Sequence, residues 1–587
     1  MSAAFALLDA PGGGAWLFEN LTRRLPLFAD NAREQCREAE RCAESGGHVV
    51  AALDYALGQV FEPRAAAAPS GRALGRFWVF STRRHLDAGA ITAWLSVRVG
   101  SPLPPATVLD FAPSLDAPGH AAAVRRIRDY IAAGDCYQVN FTFPFTGQCL
   151  GDPVALYARL RAVQPVAHGG LVVSDEGCIL SLSPELFIER AAGVIRARPM
   201  KGTAARAPGG GDDAAARVAL ATSAKDRAEN VMIVDLIRND LGRIAHPGSV
   251  RVEAMCAIES YPTVHQMTST VAADSDAAFV DVLAALFPCG SITGAPKVRA
   301  MQIIDELESK PRGHYTGALG WLGPGGTFSL NVAIRSLLID PAGRVGYGVG
   351  SGIVWDSEPA AEYAECLLKA GCVTAADPGF RLIETLRLAE GRFPLLERHL
   401  DRIGASAHAL SFACDRQAIA AALAELAAAN PAGVHRVRLT LGRAGDLETT
   451  TAPLAALPSG MRAVIAARRL DSSNLWLRHK TTVREVYECE LARLAAQPAV
   501  FDAVFLNERD EVCEGARSTV FVRMVPGAAL LTPPLACGLL PGVLRRQLLA
   551  SGEAVEAVLR VDDLCRAAEI YLGNALRGLV RVSLEAS

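Results

Sequence analysis

The chain has 587 residues, 50% hydrophobic and 21% charged, with a formal net charge of −3. That length implies three to five structural units at about 100–200 residues each, and the composition excludes a disordered chain. The near-neutral balance, without a basic stripe or polybasic run, argues against nucleic acid and membrane surfaces as partners.

The opening "MSAAFALLDAPGGG" has no charged n-region and no 18-residue apolar run, so a soluble cytoplasmic protein is expected. Fourteen cysteines without C-x-x-C spacing read as reduced, mostly buried thiols. Along the chain, a Pro-rich stretch "GSPLPPATVLDFAPSLDAPG" sets a weak boundary near residue 115. Strand-like runs "GGLVVS" and "CILSLSPELFIER" follow, bounded by turn residues. Next comes "VIRARPMKGTAARAPGGGDD", with Lys201 ahead of a Gly-rich patch that reads as a loop. Lys201 could be a phosphate-cradle lysine, a solvated charge or a nucleophile. No Walker spacing surrounds it.

The helix "SAKDRAENVMIVDLIRND" puts Asp226 and Glu229 three residues apart on one face. "PAAEYAECLLKA" repeats the pattern with Glu362 and Glu365, and Lys369 lies four further on. Two such pairs could converge on a hard cation such as Mg²⁺, which takes oxygen ligands. Each alone is equally an ordinary solvated face. Between them, "LFPCGSITGAPKVRAMQII" is a turn into a helix whose N–H groups could hold an anion, or a bland turn. "SLNVAIRSLLI" sets Arg335 inside an otherwise apolar strand, where a substrate carboxylate or a structural ion pair would have to partner it.

"TAADPGF" breaks the chain, and the main boundary is placed near residue 376. The expected units are therefore 1–114, 115–375 and 376–587. The last is Ala/Leu/Arg-rich, with helices at "PLLERHLDRIGASAHALSF" and "DRQAIAAALAELAAAN" and strand-like runs at "HRVRLTLGRAG", "DAVFLNERDEVCEG" and "STVFVRM". A lone Lys480 after an apolar run is by itself most simply a solvated charge.

In order, "PMKGT", "ENVMIVDLIRNDLGR", "YPTVHQMTSTV", "GSITGAPKVRAM" and "GSGIVWDSEPAAEYAECLLKA" resemble the chorismate-utilising enzymes. The likeness is strong over residues ~115 to ~372 and weaker before. It implies an α+β fold, an antiparallel β-sandwich with outer helices. By the same likeness Glu229 and Glu362 would hold Mg²⁺, with Asp226 and Glu365 supporting through water. Arg335 would bind a substrate carboxylate, and Thr203, Gly352 and Lys369 would also contact substrate. His265 would lie beside the ring, and Glu185 of "SPELF" would be the general acid that helps the C4 hydroxyl leave. Anthranilate synthases resemble "PIAGT" at the lysine motif, whereas aminodeoxychorismate synthases carry "PIKGT". Lys201 would then attack C2 so that ammonia enters at C4, and its amine must be neutral to do so, which burial near the metal would favour. Met200 replaces the usual Ile. The N-terminal segment lacks the tryptophan-pocket motif of regulated relatives, so no tryptophan feedback is expected. No glutaminase cysteine motif is present, and "FPCGS" does not fit one, so ammonia would come from a separate glutamine amidotransferase subunit or from solution.

"ERHLDRI", "HKT", "EVCEGARSTVF" and "GLLPGVLR" resemble fold-type IV pyridoxal phosphate enzymes, which implies a two-subdomain α+β unit and a possible homodimer through it. Lys480 would be the Schiff-base lysine and Glu514 would face the pyridine nitrogen. Arg402 and the amides of Val543 and Leu544 would hold the phosphate. Leu544 stands where many members have Thr, and Ser518-Thr519 where many have Asn. The fusion implies synthesis of 4-aminobenzoate from chorismate in two steps. The alternatives are an anthranilate-type synthase fused to an aminotransferase-like domain, and a non-catalytic scaffold with decayed sites. The intact set Glu229, Glu362, Arg335, Lys480 and Glu514 speaks against the last.

Overall fold

Long strands with continuous or alternating burial organise residues 1–377. Gln138–Leu150 pairs antiparallel with Arg344–Ile353 over ten residues, and most of its side chains are buried. In this computed structural model, which describes all residues except 1–3, 11, 102, 207–210, 262–263 and 586–587, the chain forms two units, Met1–Asp377 and Pro378–Ser587. All strand pairs of the first unit are antiparallel and belong to one connected set of eighteen strands. His48–Leu53 pairs with Ala318–Leu322, so residues on both sides of position 115 share a sheet. Two large apolar clusters fill the unit, one around Phe77, Phe279 and Phe328 and the other around Phe143, Tyr157 and Tyr347. Their removal from water is the main term that holds the strands in register.

Two local readings change and one is kept. The turn into a helix expected over 286–304 is present: Phe279–Leu286, a short turn Gly290–Ile292 and Lys297–Leu307 are separated at Pro288 and Pro296, which cannot donate to a helical ladder. The Gly-rich patch is only partly loop. Residues 207–210 lie outside the described residues, while Gly211–Thr222 is helical, as its alanines favour. Arg335 is not within a strand: Phe328–Val332 ends before it and Ser336–Ile339 starts after it.

The second unit has a three-stranded antiparallel sheet, Leu382–Ala389, Val434–Leu441 and Leu447–Pro453, with helices Leu396–Ala409 and Arg416–Ala429. An eight-stranded mixed sheet follows, parallel at three of its pairings. This is the two-part α+β arrangement expected from sequence. All fourteen cysteines are free thiols, exposed only at Cys489 and Cys565. Among the described residues no helix is long and apolar enough to cross a membrane.

Two candidate active sites

Lys201 lies on the strand Met200–Ala205, which pairs with Val264–Asp274. The register slips between Met200 and Thr203, so Lys201 and Gly202 fall in a bulge that re-aims the lysine. Gly202 has φ +82, and a Cβ there would meet Asp226 at 3.0 Å, which explains the glycine after the lysine. The Lys201 ammonium stands 3.9 Å from Glu229 Oε2, and its side chain is 14% exposed. It also lies 3.4 Å from where a Cβ of Gly352 would sit. A side chain at 352 would crowd the lysine, so the bare glycine keeps this space open.

Further carboxylates complete the surroundings. Glu185 is buried and pushed up to about 7 by desolvation, against the pull of a Ser291 hydroxyl at 2.7 Å and of Lys201. Glu229 is raised mainly by burial, opposed by Lys201 and Lys225 and reinforced by Asp226 and Glu362. Glu362, in the first turn of the helix Pro359–Ala375, is buried and accepts from Ser357 Oγ at 2.8 Å. Glu365 is half-exposed and paired with Lys369 at 2.7 Å, and Lys369 also donates to the Gly350 carbonyl at 2.8 Å.

Among the described residues no group of three or more His, Cys, Asp or Glu side chains is gathered around a cation position. Glu229 and Glu362, close enough that the Glu362 charge acts on Glu229, nevertheless fit Mg²⁺, which is commonly held by one or two carboxylates plus water and substrate oxygens. Asp226 borders this pair through Gly202.

The other expected contacts differ in readiness. Arg335 takes a left-handed backbone, φ 49, an uncommon conformation for a non-glycine that clusters at functional positions. Among the described residues its half-buried guanidinium has no hydrogen-bond or ion-pair partner, so a carboxylate ligand would satisfy it. His265 is buried with Nδ1 2.8 Å from Ser260 Oγ and Nε2 3.1 Å from Asp213 Oδ1, which leaves its ring face, not a nitrogen, to meet a bound molecule. Thr203 is exposed. Sequence reading missed Gln138, which is 1% exposed with both carboxamide atoms unpartnered among the described residues. Its Nε2 is 2.3 Å from the same absent Cβ of Gly352. A polar residue in a run of buried strand positions was the available signal.

In the second unit, Lys480 follows a short turn, Leu475–Arg478, rather than a strand. Its carbonyl accepts from Ile383 N at 2.7 Å and Thr482 N donates to Arg381 at 2.9 Å, which pins it to Leu382–Ala389. Burial, Arg484 and Arg402 push its ammonium down to about 7, against Glu384 and Glu514. Glu514 is buried and raised to about 7 by desolvation. Tyr487 Oη donates to it at 2.6 Å and Leu540 N at 3.0 Å.

Arg402 is buried and forks onto Glu384 at 2.8 and 2.6 Å, and His399 Nδ1 shares that carboxylate at 2.6 Å. Although desolvation opposes it, this company, Arg402 first, holds Glu384 down at about 2. A guanidinium has five donors, and the fork uses two. Val543 and Leu544 open the helix Val543–Ala550 behind Gly542, where a Cβ would come within 2.8 Å of Thr519 Oγ1. First-turn amides of a helix lack intrahelical acceptors and favour an anion. The turn after Glu514 closes by Gly515 N to Ser518 O at 2.7 Å, with Asp502 accepting from Ser518 Oγ at 2.6 Å, so Ser518 serves where Asn is usual. A lysine pushed toward neutrality, an opposing buried carboxylate, an arginine and a helix start fit pyridoxal phosphate. Glu384, His399 and Tyr487 were not foreseen. Nothing in their spacing marks them, because their partners are distant in sequence.

These two clusters belong to a chorismate-utilising scaffold and a class IV aminotransferase scaffold on one chain. Residues 22–375 match the chorismate binding enzyme family, and the chain belongs to it. Residues 381–584 match amino-transferase class IV. The chain is 47% identical over 243 residues to aminodeoxychorismate synthase component 1 of Klebsiella aerogenes, covering 41% of this chain and 54% of that protein. It is 41% identical over 284 residues to the protein of that name from Escherichia coli K12, covering 48% and 62%. It thus spans between half and two thirds of the length of these relatives. The crystal structure of anthranilate synthase component I from Streptococcus pneumoniae TIGR4 superposes with a TM-score of 0.52 at 25% identity, covering 64% of this chain and 91% of that one.

Proposed function

We propose that the chain converts chorismate and ammonia to 4-amino-4-deoxychorismate in its first unit and eliminates pyruvate from it in its second, giving 4-aminobenzoate. The observation that carries the reading is Lys201, held in a bulge between Glu185 and Glu229 beside the bare Cα of Gly352. The likeness to proteins named aminodeoxychorismate synthase component 1 supports the same choice.

Arg335 would bind a chorismate carboxylate by its fork. Glu229 and Glu362 would hold Mg²⁺, which supplies charge neutralisation at a substrate carboxylate. Glu185, protonated up to about pH 7, gives its proton to the departing C4 oxygen as Lys201 Nζ bonds to C2 and the ring double bonds shift. Ammonia then bonds to C4, the Lys201–C2 bond breaks, and the lysine recovers its electron pair. Ammonia would come from a separate glutamine amidotransferase subunit, so glutamine alone should not replace ammonium.

In the second unit Lys480 would carry pyridoxal phosphate, Arg402 with the Val543 and Leu544 amides would hold its phosphate, and Glu514 would face its ring nitrogen. When bound, the cofactor supplies an electron sink at the carbon bearing the substrate amine. Lys480, pushed down to about 7, takes the C4 proton, and the enolpyruvyl C–O bond breaks as the ring becomes aromatic.

The test is purified chain with chorismate, Mg²⁺, ammonium and pyridoxal phosphate, with products read by fluorescence and mass. 4-Aminobenzoate and pyruvate in equal amounts are expected. Anthranilate instead, or no turnover, overturns the reading.

A further inference from the structure

In the second unit four arginines meet, and the one acid beside them, Asp502, is held by backbone and hydroxyl donors rather than by a guanidinium. Arg387 on Leu382–Ala389 and Arg436 on Val434–Leu441 are direct cross-strand partners. Like charges placed opposite each other on a sheet destabilise it, by about 0.2–1 kcal/mol. Arg387 Nη1 reaches the Leu576 carbonyl at 3.4 Å, which brings the turn carrying Arg577 onto this pair. Asn574 fixes that turn by accepting from Leu576 N at 3.1 Å and Arg577 N at 2.9 Å, and its Nδ2 donates to the Arg517 carbonyl at 3.1 Å. Burial and then Arg517, Arg387 and Arg436 hold the Arg577 guanidinium below the usual arginine range. Among the described residues no guanidinium of the four is ion-paired with a carboxylate, and the side-chain hydrogen bonds that three of them make go to carbonyls; the nearby Asp502 carboxylate is taken up by Arg517 N at 3.0 Å and Ser518 Oγ at 2.6 Å.

The cluster adjoins the lysine site by chain geometry. Arg387 shares its strand face with Ile383, four residues and about 13 Å along, and Ile383 N donates to the Lys480 carbonyl. Arg517 lies in the turn that follows Glu514. The cationic neighbours of Lys480 are Arg484 and Arg402, and the strand spacing sets Arg387 a step further out, about 13 Å along the strand. An α-amino acid carries its carboxylate on the carbon that bears the amine. A cyclohexadienyl amine with a ring carboxylate para to the amine and a second carboxylate on an ether side chain presents its charges a ring-width away.

We propose that Arg387, Arg436, Arg517 and Arg577 form a dicarboxylate-binding subsite that selects a dianionic cyclic amine over α-amino acids in the second unit. This rests on the reading of that unit as the pyruvate-eliminating half. Guanidinium forks match carboxylates bidentately, and an unpaired set of them gains such ligands with little competition from protein acids.

The test uses the full-length chain loaded with pyridoxal phosphate, in an Arg335→Gln background that removes the first unit's carboxylate ligand. Calorimetry compares benzene-1,3-dicarboxylate with benzoate. The dicarboxylate should bind at least tenfold more tightly, and Arg387→Gln or Arg577→Gln should erase the difference while the cofactor absorbance stays. With 4-amino-4-deoxychorismate the same variants should raise KM about tenfold and leave kcat within twofold. Equal affinities for the two probes, variants that leave the difference intact, or variants that lose the cofactor instead would each overturn the subsite. A retained dicarboxylate preference without pyruvate release would overturn the elimination reading and leave the subsite standing.

Discussion

Lys201 and Lys480 each stand at the centre of a buried site, in opposite electrostatic company. Lys201 is flanked by Glu185, Glu229 and, through Glu229, Glu362. Lys480 has Arg484 and Arg402 as its strongest charged neighbours, and with burial they bring it to about 7. The first setting suits a site that must bind a cation and donate a proton to a leaving oxygen. The second suits a lysine that carries a cofactor and must spend part of its cycle as a neutral base. Two lysines of equal intrinsic basicity thus stand in surroundings that suit different work.

The comparison can be broken most sharply by removing each lysine. Lys480→Ala should abolish 4-aminobenzoate release and the visible cofactor band, while ammonia-dependent consumption of chorismate continues. Lys201→Ala should reduce that consumption by about 10³-fold or more, leaving turnover of supplied 4-amino-4-deoxychorismate unchanged. Full amination activity in the second variant would end the nucleophile role. Glu185→Gln should cost the first step about 10²–10⁴-fold. In the unmodified chain that step should fall as pH rises through about 7, because the acid form of Glu185 is lost there. A rate flat from pH 6 to 8.5 would remove Glu185 from the role.

Smaller effects sharpen the contrast. Glu384→Gln leaves Arg402 and His399 without their carboxylate and should destabilise the second unit by about 3–5 kcal/mol in denaturant unfolding. The sign with pH is fixed: Glu384 is depressed to about 2, so its contribution is full above the ordinary carboxylate range and fades as pH falls toward 2. An unfolding midpoint in the variant that matches the unmodified chain at pH 7 would contradict this. Tyr487→Phe removes one donor from Glu514 and should raise that group's titration above about 7, visible as a shift in the pH dependence of the cofactor spectrum.

Much of this was legible in the chain because the motifs are local. "PMKGT" contains both the lysine and the glycine whose left-handed conformation aims it, and "EVCEGARST" contains both Glu514 and the Ser518 that closes its turn. Spacing also put Glu362 and Glu365 on one helix, and the structure sets Glu362 in its first turn. The misreadings have a common origin. Arg335 looked like a strand residue because its neighbours are apolar, yet the chain turns there at positive φ. Asp213, in what read as loop, belongs to a helix and reaches His265.

Sequence alone determined the order of the two units and singled out the residues proposed for both sites, the two central lysines among them, since each motif depends on side chains a few positions apart. Tertiary structure decided which groups perturb them. Gln138 against Gly352, Ser291 on Glu185, Glu384 under Arg402 and the four arginines around Asn574 join positions tens to hundreds of residues apart. Desolvation and Coulomb forces act over a few ångströms of space, whatever the separation along the chain, so their balance exists only after the strands have paired.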